Sequence, residues 1–538
     1  MMRINILFMS IIVLYPPAAE SFIYDDLEPF RGRIIEKINI VRRNVFDSEM
    51  QNDPPFYYRW ANSLHIITRE NVVRRELLFG IGDSLDIQQV IETERNLRAA
   101  GFIGEIDIGV IPASDSGIEL IVTTTDLWTT KVEIYLDVAG GNYTTGLAFT
   151  EANLLGLGKY IQALGQIGND QDGYAAYYID NRLLGSRLAL SFAHVNFTYS
   201  RGISLSLARP QYSLAVPFGA GMALEATEER PRLFSGGEEF FRYHQEKRII
   251  IAGATYTFGR NQRLSINGAY NLDKTDYAVE LQGHPLNSMI PPDETISYPT
   301  VGVSIASIKY DIARFVDAAG NPEDLSLGGA LKFTFGRSDV PFGADYIANY
   351  QAASARFLLC PRNGVYVGGS DKVIWWSRSG QAERIRHQSE LSFYYKPAAM
   401  HLLAIHGLAD FAWRQKPTYQ VILGGGNGLR GYSYHELAGN RLALGNIEYR
   451  FYTPITILTV RLGAAAFFDI GNVWRRSQDI DPGELKSGVG LGLRFGLTKS
   501  STARVVSLDF AKALSKDEFF IGFGTASPFN LKNFDLND

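Results

Sequence analysis

Cysteine is almost absent from this sequence: Cys360 is the only one in 538 residues. An intrachain disulfide is therefore impossible, and metal sites of the CxxC type are excluded. The chain also lacks an excess of positive charge, since its net charge is −5, so we expect no nucleic-acid partner. Beyond the N-terminus it has no apolar run of about 20 residues, which excludes a helical membrane protein.

The N-terminal segment has the three parts of an export signal. Arg3 supplies the positive charge, and an apolar stretch follows from Ile4 to Tyr15. The letters "PPAAES" then offer small residues for cleavage near Ala18 or Ala19. A membrane anchor is the alternative, but the apolar stretch is too short to span a bilayer. We predict that residues 1–19 are a signal peptide and that the mature chain leaves the cytoplasm.

Residues 31–127 have the pattern of a small mixed α/β domain. "RIIEKINIV" alternates like a strand, and "TRENVVRRELL" is helical with Thr68 as a plausible N-cap. "DIQQVIETERNLRAAGF" predicts a second helix, capped by Asp86. Two strands follow, "IGEIDIGVI" and "GIELIVTTTD". The predicted order is β-α-α-β-β.

This order, with "TRENVVRRELLFGIGDSLD" and "ETERNLRAAGF", resembles a POTRA domain, the periplasmic module of outer-membrane protein-assembly and two-partner-secretion transporters. A three-stranded sheet has two edges, and "GIELIVTTT" or "RIIEKINI" is expected to present one to an extended peptide. An aromatic insertion, residues 52–60, departs from a minimal POTRA domain. It could contact a partner, or pack onto the domain or the barrel rim.

From Lys131 onward, apolar and polar residues alternate with a period of two. The pattern is clear in "KVEIYLDV", "RLSINGAYN", "LKFTF", "NIEYRFY" and "RVVSLDFA". In "NIEYRFY" one face carries Ile447, Tyr449 and Phe451, and the other carries Asn446, Glu448, Arg450 and Tyr452. In "RVVSLDFA", Asp509 lies on the face opposite Leu508 and Phe510. This alternation is typical of strands with one apolar and one polar face.

A soluble β-sandwich also alternates, but an exported chain without disulfides and with aromatic strand ends favours a membrane barrel. Residues 131–529 provide about 400 residues, and roughly 25 per strand and connection predict about 16 strands. The predicted fold class is therefore mainly β: a transmembrane β-barrel of about 16 antiparallel strands, preceded by one small α+β POTRA-like domain. The expected location is the outer membrane of a diderm bacterium, with the POTRA domain in the periplasm.

The stretch "GGGNGLRGYSYHELAGN", residues 424–440, places a cation among six glycines. A polar barrel lumen can hold such a loop, but Arg430 inside it needs an acidic partner. Asp469 in "AAFFDIGNVW" lies on the face opposite Phe468 and Ile470, and is the candidate. Arginine suits this pairing better than lysine, because its planar fork can hold a carboxylate at two points.

"GLRGY" and "FFDIGN" together resemble the two motifs of the BamA/TamA-type transporters, in which a lumenal Arg-Gly-aromatic tip contacts an aspartate of a Phe-x-Asp-x-Gly strand. "EANLLGLGKY" also resembles an early barrel strand and turn of that superfamily. The resemblance implies that the loop tip is Leu429, Arg430, Gly431 and Tyr432, and that the wall motif is Phe467, Asp469 and Gly471. Leu429 stands where the family more often has Val or Ile.

The sequence carries no recognisable catalytic motif. It has no G-x-S-x-G elbow and no Walker A loop, and "HELAG" at His435 lacks the second histidine of H-E-x-x-H. We expect no catalytic residue, metal or cofactor, so the chain is predicted not to be an enzyme.

The resemblance implies a component of outer-membrane protein assembly or translocation, in which the POTRA domain receives substrate and the barrel inserts or exports it. The expected partners are the lipid bilayer, an unfolded or exported polypeptide (or a lipid) as substrate, and periplasmic proteins at the POTRA domain. The alternatives are a passive pore, or a surface adhesin or receptor, with the POTRA domain as a spacer.

Overall fold

The structure is a computed structural model. It describes residues 26–50, 56–139, 142–501, 505–525, 529–534 and 536. The predicted signal peptide and the first residues of the aromatic insertion lie outside this part. No described helix combines the length and apolar character needed to cross a membrane.

A small α/β unit comes first. Its elements are β1 (Ile34–Arg43), α1 (Phe56–Leu64), α2 (Glu70–Glu76), α3 (Ile87–Ala99), β2 (Ile103–Pro112) and β3 (Gly117–Asp126). β3 lies in the middle of the sheet, parallel to β1 and antiparallel to β2. "GIELIVTTT" is β3 in the middle of the sheet, so its expected place at an edge is wrong, whereas "RIIEKINI" lies at an edge, in β1, as expected. The two edges are β1 and β2.

Local sequence explains the helices of this unit in part. Asp86 accepts a hydrogen bond from the Gln88 amide at 3.0 Å and caps α3. Val90 and Leu97 on α3 are buried against the sheet, and each such side chain contributes about 1.5–3 kcal/mol. The predicted capping of α2 by Thr68 is wrong. The Thr68 hydroxyl donates to Asp126 instead.

Most of the remaining described residues form a closed barrel of 20 antiparallel strands. Its strands are β4 (Thr130–Ala139), β5 (Asn142–Glu151), β6 (Lys159–Gly168), β7 (Gly173–Asp180), β8 (Ala189–Phe197), β9 (Ser200–Arg209), β10 (Phe218–Glu229), β13 (His244–Phe258), β14 (Gln262–Ala278), β15 (Glu294–Ala313), β16 (Glu323–Ser338), β17 (Ala348–Arg362), β18 (Val365–Arg378), β19 (Gln381–Ala398), β20 (His401–Trp413), β23 (Arg441–Ile457), β24 (Val460–Trp474), β25 (Lys486–Leu497), β26 (Val505–Ala513) and β27 (Phe519–Gly524). Two short hairpins lie outside the barrel sheet: β11 (Arg232–Ser235) with β12 (Glu238–Arg242), and β21 (Val421–Leu423) with β22 (Leu437–Gly439).

The expected count of about 16 strands was too low. Several connections are very short: only residues 363–364 separate β17 from β18, and only residues 379–380 separate β18 from β19. The same length of chain therefore supplies more strands, at about 20 residues per strand and connection. β27 closes the barrel onto β4 through four residue pairs.

The alternation of the sequence is reproduced on the barrel wall. Apolar side chains such as Val132, Phe333 and Leu491 are exposed on the outer surface. Their neighbours along the strands face the lumen, where Glu448 and Asp469 are buried. An apolar exterior with a polar interior is the arrangement of membrane barrels.

The α/β unit contacts one end of the barrel, which we call the docked end. Two turns with the letters "LLG" meet it there. The amide of Arg69 donates to the carbonyl of Gly156 in the β5–β6 turn at 2.9 Å. Gly185, in the β7–β8 turn, lies beneath the guanidinium of Arg75. Both glycines have positive φ, and a side chain at either would collide with the α/β unit.

Helix α3 adds polar contacts with the docked end. Arg98 forms an ion pair with Asp324 on β16 at 2.9 Å. The buried carboxylate of Glu92 accepts hydrogen bonds from the Ser213 hydroxyl at 2.6 Å and the Leu214 amide at 2.9 Å. A buried charge is costly unless it is paired or hydrogen-bonded. These contacts therefore hold the α/β unit on the barrel.

The turn between β15 and β16, residues 314–322, folds inward at the docked end. Its carbonyls are held by arginines of strands β23 and β24. Arg450 on β23 donates to Val316 at 3.2 Å, and Arg461 on β24 donates to Ala319 at 2.8 Å. This turn therefore occupies part of the lumen.

Candidate functional site

The glycine-rich loop, residues 424–440, lies between β20 and β23 and packs onto the inner wall formed by β23–β26. Gly431 has a φ of +100°, a left-handed conformation that favours glycine. A Cβ at this position would lie 2.7 Å from the Ala513 amide nitrogen on β26. Only a glycine lets the backbone of the loop approach the wall so closely.

Arg430 lies within this loop and is buried, with 3% of its surface exposed. Its Nε donates to Oδ2 of Asp469 at 2.8 Å, and its Nη2 donates to Oδ1 at 2.9 Å. The Arg430 amide also donates to Asp469, at 3.2 Å. The structure thus brings together the two residues that the sequence proposed as partners, in the two-point geometry that arginine permits.

The other residues of the two motifs surround this pair. The guanidinium of Arg430 lies 3.4 Å above the ring centroid of Phe467, a favourable cation–π contact. Leu429 and Tyr432 are fully buried, and the Tyr432 hydroxyl donates to the Ser487 carbonyl on β25 at 2.8 Å. These residues attach the loop tip to β24 and β25.

Gly471 is the last residue of the wall motif, and its lack of a side chain leaves space for the loop beside the wall. A Cβ there would lie 2.8 Å from the Ala443 carbonyl oxygen and 3.1 Å from Cδ2 of Leu423. Leu423 belongs to β21, at the start of the inserted loop. A larger residue at this position would push the loop away from the wall.

The structure adds charged partners that the sequence had not assigned to the site. Nη1 of Arg430 donates to Glu448 at 3.1 Å and to Asp509 at 3.3 Å. Two more arginines share these acids: Arg450 donates to Glu448 at 2.8 Å, and Arg494 donates to Glu448 at 3.2 Å and to Asp509. We call Arg430, Arg450, Arg494, Glu448, Asp469 and Asp509 the lumenal charge cluster.

A signal for these partners was present in the sequence. Alternation placed Glu448 and Arg450 on the polar face of "NIEYRFY", and Asp509 on the polar face of its strand. Which polar residues of neighbouring strands meet depends on strand register, and here Asn446 lies opposite Asp469. The Asn446 side chain donates to Asp469 Oδ1 at 2.7 Å and to the Gly428 carbonyl at 2.7 Å.

The charge cluster suits mechanical attachment of the loop. Three arginines face three carboxylates, so the charges of the cluster balance. Within the described residues, no group of three or more His, Cys, Asp or Glu side chains is placed to hold a metal ion. The arrangement joins the loop to strands β23, β24 and β26 through buried, hydrogen-bonded charge.

A second buried polar group lies where the α/β unit meets the barrel. Oδ2 of Asp126 accepts hydrogen bonds from the Thr68 amide at 2.7 Å and from its hydroxyl at 2.8 Å. The Asn153 amide of the β5–β6 turn donates to the same hydroxyl at 2.8 Å. Burial raises the pKa of Asp126 to about 6, although the Thr68 hydrogen bonds oppose this. Burial lowers the pKa of His65, whose Nε2 lies 3.8 Å from Asp126.

Comparison with known proteins gives one family. Residues 324–519, from β16 to the first residue of β27, match the family model of the Omp85 superfamily domain. This segment contains the glycine-rich loop and all six residues of the lumenal charge cluster. A search of curated proteins finds no significant match.

Similar solved structures include BamA from Haemophilus ducreyi lacking POTRA domains 1–3, at 13% identity over 90% of this chain and 84% of that chain, with a TM-score of 0.39. CdiB from Acinetobacter baumannii is similar at 12% identity over 92% of this chain and 73% of that one, with a TM-score of 0.44. Residues 324–519 of this chain are therefore similar to the Omp85 superfamily domain.

Proposed function

We propose that this protein assembles or translocates polypeptides at the outer membrane, with the α/β unit receiving an extended substrate and the barrel inserting or exporting it. The Omp85 match supports outer-membrane protein assembly or translocation in general. The finer proposal rests on one observation: the α/β unit is fixed beside the mouth of the barrel and has an open sheet edge. In this proposal the unit is a POTRA domain in the periplasm.

β2 is the edge that we assign to the substrate. In the described part of the chain, the backbone hydrogen bonds of β2 run to β3. Glu105 and Asp107 on β2 are exposed. An extended peptide can pair with such an edge through its own amides, largely independently of its side chains. This recognition suits a polypeptide better than a lipid.

β1 is a poorer candidate, because another segment covers its beginning. The Ile35 amide donates to the Asp83 carbonyl at 2.9 Å, and the Gly82 amide donates to the Ile35 carbonyl at 2.8 Å. A peptide that paired there would have to displace residues 82–85. The occupied start of β1 leaves β2 as the available edge.

A passive pore or a surface receptor requires neither an open sheet edge nor a loop attached to the lumenal wall. Inward segments, among them residues 314–322 and 424–440, occupy lumenal space in the described structure. Buried, balanced charges hold the second of them in place. We therefore favour a machine whose interior can rearrange over a permanently open pore.

The proposal can be tested by site-specific photocrosslinking in reconstituted vesicles. A photoreactive residue replaces Glu105 or Asp107, and the probe is a urea-denatured outer-membrane barrel protein. We expect adducts at both β2 positions, together with folding of the probe, seen as heat-modifiable migration on gels.

The matched control places the same photoreactive residue at Val41, an exposed position on β1. Few adducts are expected there. Equal labelling of β1 and β2 would contradict the assignment of β2 as the edge that binds the substrate. A probe that neither crosslinks nor folds faster than in protein-free vesicles would contradict the proposed function.

A further inference from the structure

The chain does not end at the last barrel strand. After β27, the structure describes residues 529–534 and 536, which we call the C-terminal segment. Four of its side chains are buried: Phe529, Leu531, Phe534 and Leu536 are each at most 7% exposed. Burial of four side chains in so short a segment requires a specific seat on the barrel.

The seat is an apolar groove on the inner wall, several strands away from β27 around the barrel. It is lined by Leu358, Tyr366, Tyr394, Leu402 and Ala404, from strands β17–β20. The Phe529 ring stacks on His406 of β20, with centroids 4.9 Å apart and planes 1° apart. The segment therefore leaves the closing strand of the barrel and binds a different part of the wall.

A glycine gives the groove its shape. Gly368 on β18 lies directly beneath the Phe534 ring, and any side chain at this position would collide with that ring. Phe534 is fully buried in this place. The wall thus forms a pocket for one aromatic ring.

Polar contacts also hold the described residues of the C-terminal segment. The Leu531 amide donates to Oδ2 of Asp317 at 2.7 Å, and the Leu536 amide donates to the Ser326 hydroxyl at 3.0 Å. The Asn533 side chain donates to Glu390 at 3.1 Å. The described residues of the segment pair with no strand of the barrel. Apolar side chains in a groove, together with these hydrogen bonds, attach the described residues of the segment.

The segment also contacts the lumenal charge cluster. The Arg450 guanidinium lies 5.4 Å from the Phe529 ring centroid. Arg450 donates to Asp317 at 3.4 Å, and Asp317 accepts the Leu531 amide through its other oxygen. Since Arg450 also binds Glu448, the C-terminal segment and the Arg430 loop share partners.

We propose that this groove is a peptide-binding site, which the C-terminal segment fills in cis. In trans the groove binds an extended peptide from another chain, with aromatic and leucine anchors spaced as in "FNLKNFDL". The occupied groove keeps the lumen plugged, and release of the segment opens it. The inference rests on the proposed function in one respect: the natural trans ligand would be a stretch of the polypeptide substrate.

The test compares the full chain with a chain that ends at Gly524, each as single channels in a planar bilayer. We expect the shortened chain to conduct several-fold more. A synthetic peptide of residues 525–538 should block that current saturably. The same peptide with Phe529→Ala and Phe534→Ala should not block it. Unchanged conductance, or equal block by both peptides, would overturn the proposal.

A second pair of variants covers the case in which the shortened chain does not assemble. Gly368→Leu in the full chain fills the Phe534 pocket and should raise conductance. Gly407→Leu on β20 is the matched control, because a Cβ there meets only the Leu444 carbonyl, at 4.0 Å. Its conductance should equal that of the native chain. If Gly368→Leu also conducts like the native chain, the groove is not the seat of a plug.

A disulfide lock completes the test. Ser326→Cys with Leu536→Cys, in a Cys360→Ser background, should hold the segment in the groove. The oxidised form should conduct like the native chain, and added peptide should not change its current. After reduction, the peptide should again affect the current. Block of the oxidised form would place the peptide elsewhere. These readouts need no substrate folding, so they can fail or succeed independently of the crosslinking experiment on β2.

Discussion

Arg430 is held by more than one partner, and this determines what each substitution does. Asp469 binds it at two points, while Glu448 and Asp509 share its third nitrogen. Removal of Arg430 leaves three buried carboxylates with two arginines. Removal of Asp469 leaves Arg430 with two other acids. The two losses should therefore be unequal.

We predict that Arg430→Ala lowers the free energy of unfolding by about 3–5 kcal/mol, because it strands buried charge. Asp469→Ala should lower it by about 1–3 kcal/mol. The double variant should be little worse than Arg430→Ala alone. Urea unfolding in detergent micelles measures all three. Losses that simply add would show that the residues do not interact.

Arg430→Lys tests the fork geometry. An ammonium keeps the charge but cannot donate to both oxygens of Asp469 while it reaches Glu448. We expect the variant to recover less than half of the stability lost in Arg430→Ala, with the loop more accessible to protease. Arg441→Lys, on the same strand as Glu448, is the control and should be neutral. Full rescue by lysine would mean that charge alone holds the loop.

Asp126 gives a pH prediction. Burial raises its pKa to about 6 in the folded protein, above the value of about 3.9 for an unfolded chain. Its contribution to stability is therefore fully present below about pH 4 and is lost as pH rises through 6, by about 3 kcal/mol. Asp126→Asn should remove this loss.

The measurement is the urea midpoint of both proteins at pH 4, 5, 6 and 7. The difference between Asp126→Asn and the native chain should grow with pH across this range. The neighbouring His65 has a lowered pKa, so its contribution is lost as pH falls, and it acts in the opposite direction in both proteins. A constant difference would contradict the assignment to Asp126.

At the scale of elements, α3 is both a core helix and a docking surface. Its apolar face covers the sheet of the α/β unit, while Glu92 satisfies two donors of the β9–β10 turn. A buried carboxylate with two donors is costly to remove, because both donors then lack an acceptor. The turn and the helix should therefore open together.

We predict that Glu92→Ala destabilises this contact by about 1–3 kcal/mol. Hydrogen exchange should rise in α3 and in residues 210–217, while strands β23–β25 keep their protection. Glu105→Ala, at an exposed carboxylate on β2, should leave both regions unchanged. Unaltered exchange in residues 210–217 would show that other contacts alone hold the unit on the barrel.

At the scale of the whole molecule, the apolar exterior and the closed ladder of 20 strands predict an integral membrane protein. The protein should fractionate with outer membranes and migrate faster on gels when it is not heated, because the closed barrel remains folded in detergent. Recovery from a soluble periplasmic extract would contradict this. Residues 131–538, expressed without the α/β unit, should show the same heat-modifiable shift if the barrel folds independently.

Local pattern determined the faces of the strands, and together with a family resemblance it predicted the pairing of Arg430 with Asp469. A period of two assigns each side chain to the lipid or the lumen, and a buried arginine requires an acid on the same side. The resemblance of "GLRGY" and "FFDIGN" to two known transporter motifs then indicated which acid it was. The sequence pattern did not predict the number of strands, because this number depends on connections as short as the two residues between β17 and β18.

Only the tertiary structure decided which residues meet across strands and across the lumen. Register brings Glu448 and Asp509 to Arg430, and sheet order puts β3 in the middle and leaves β2 open. The C-terminal letters "FNLKNFDL" have no strand or helix period that would predict their burial. Their seat exists because Gly368 and Tyr394, on the paired strands β18 and β19, form one groove, and because the fold brings the C-terminal segment to it from the far side of β27.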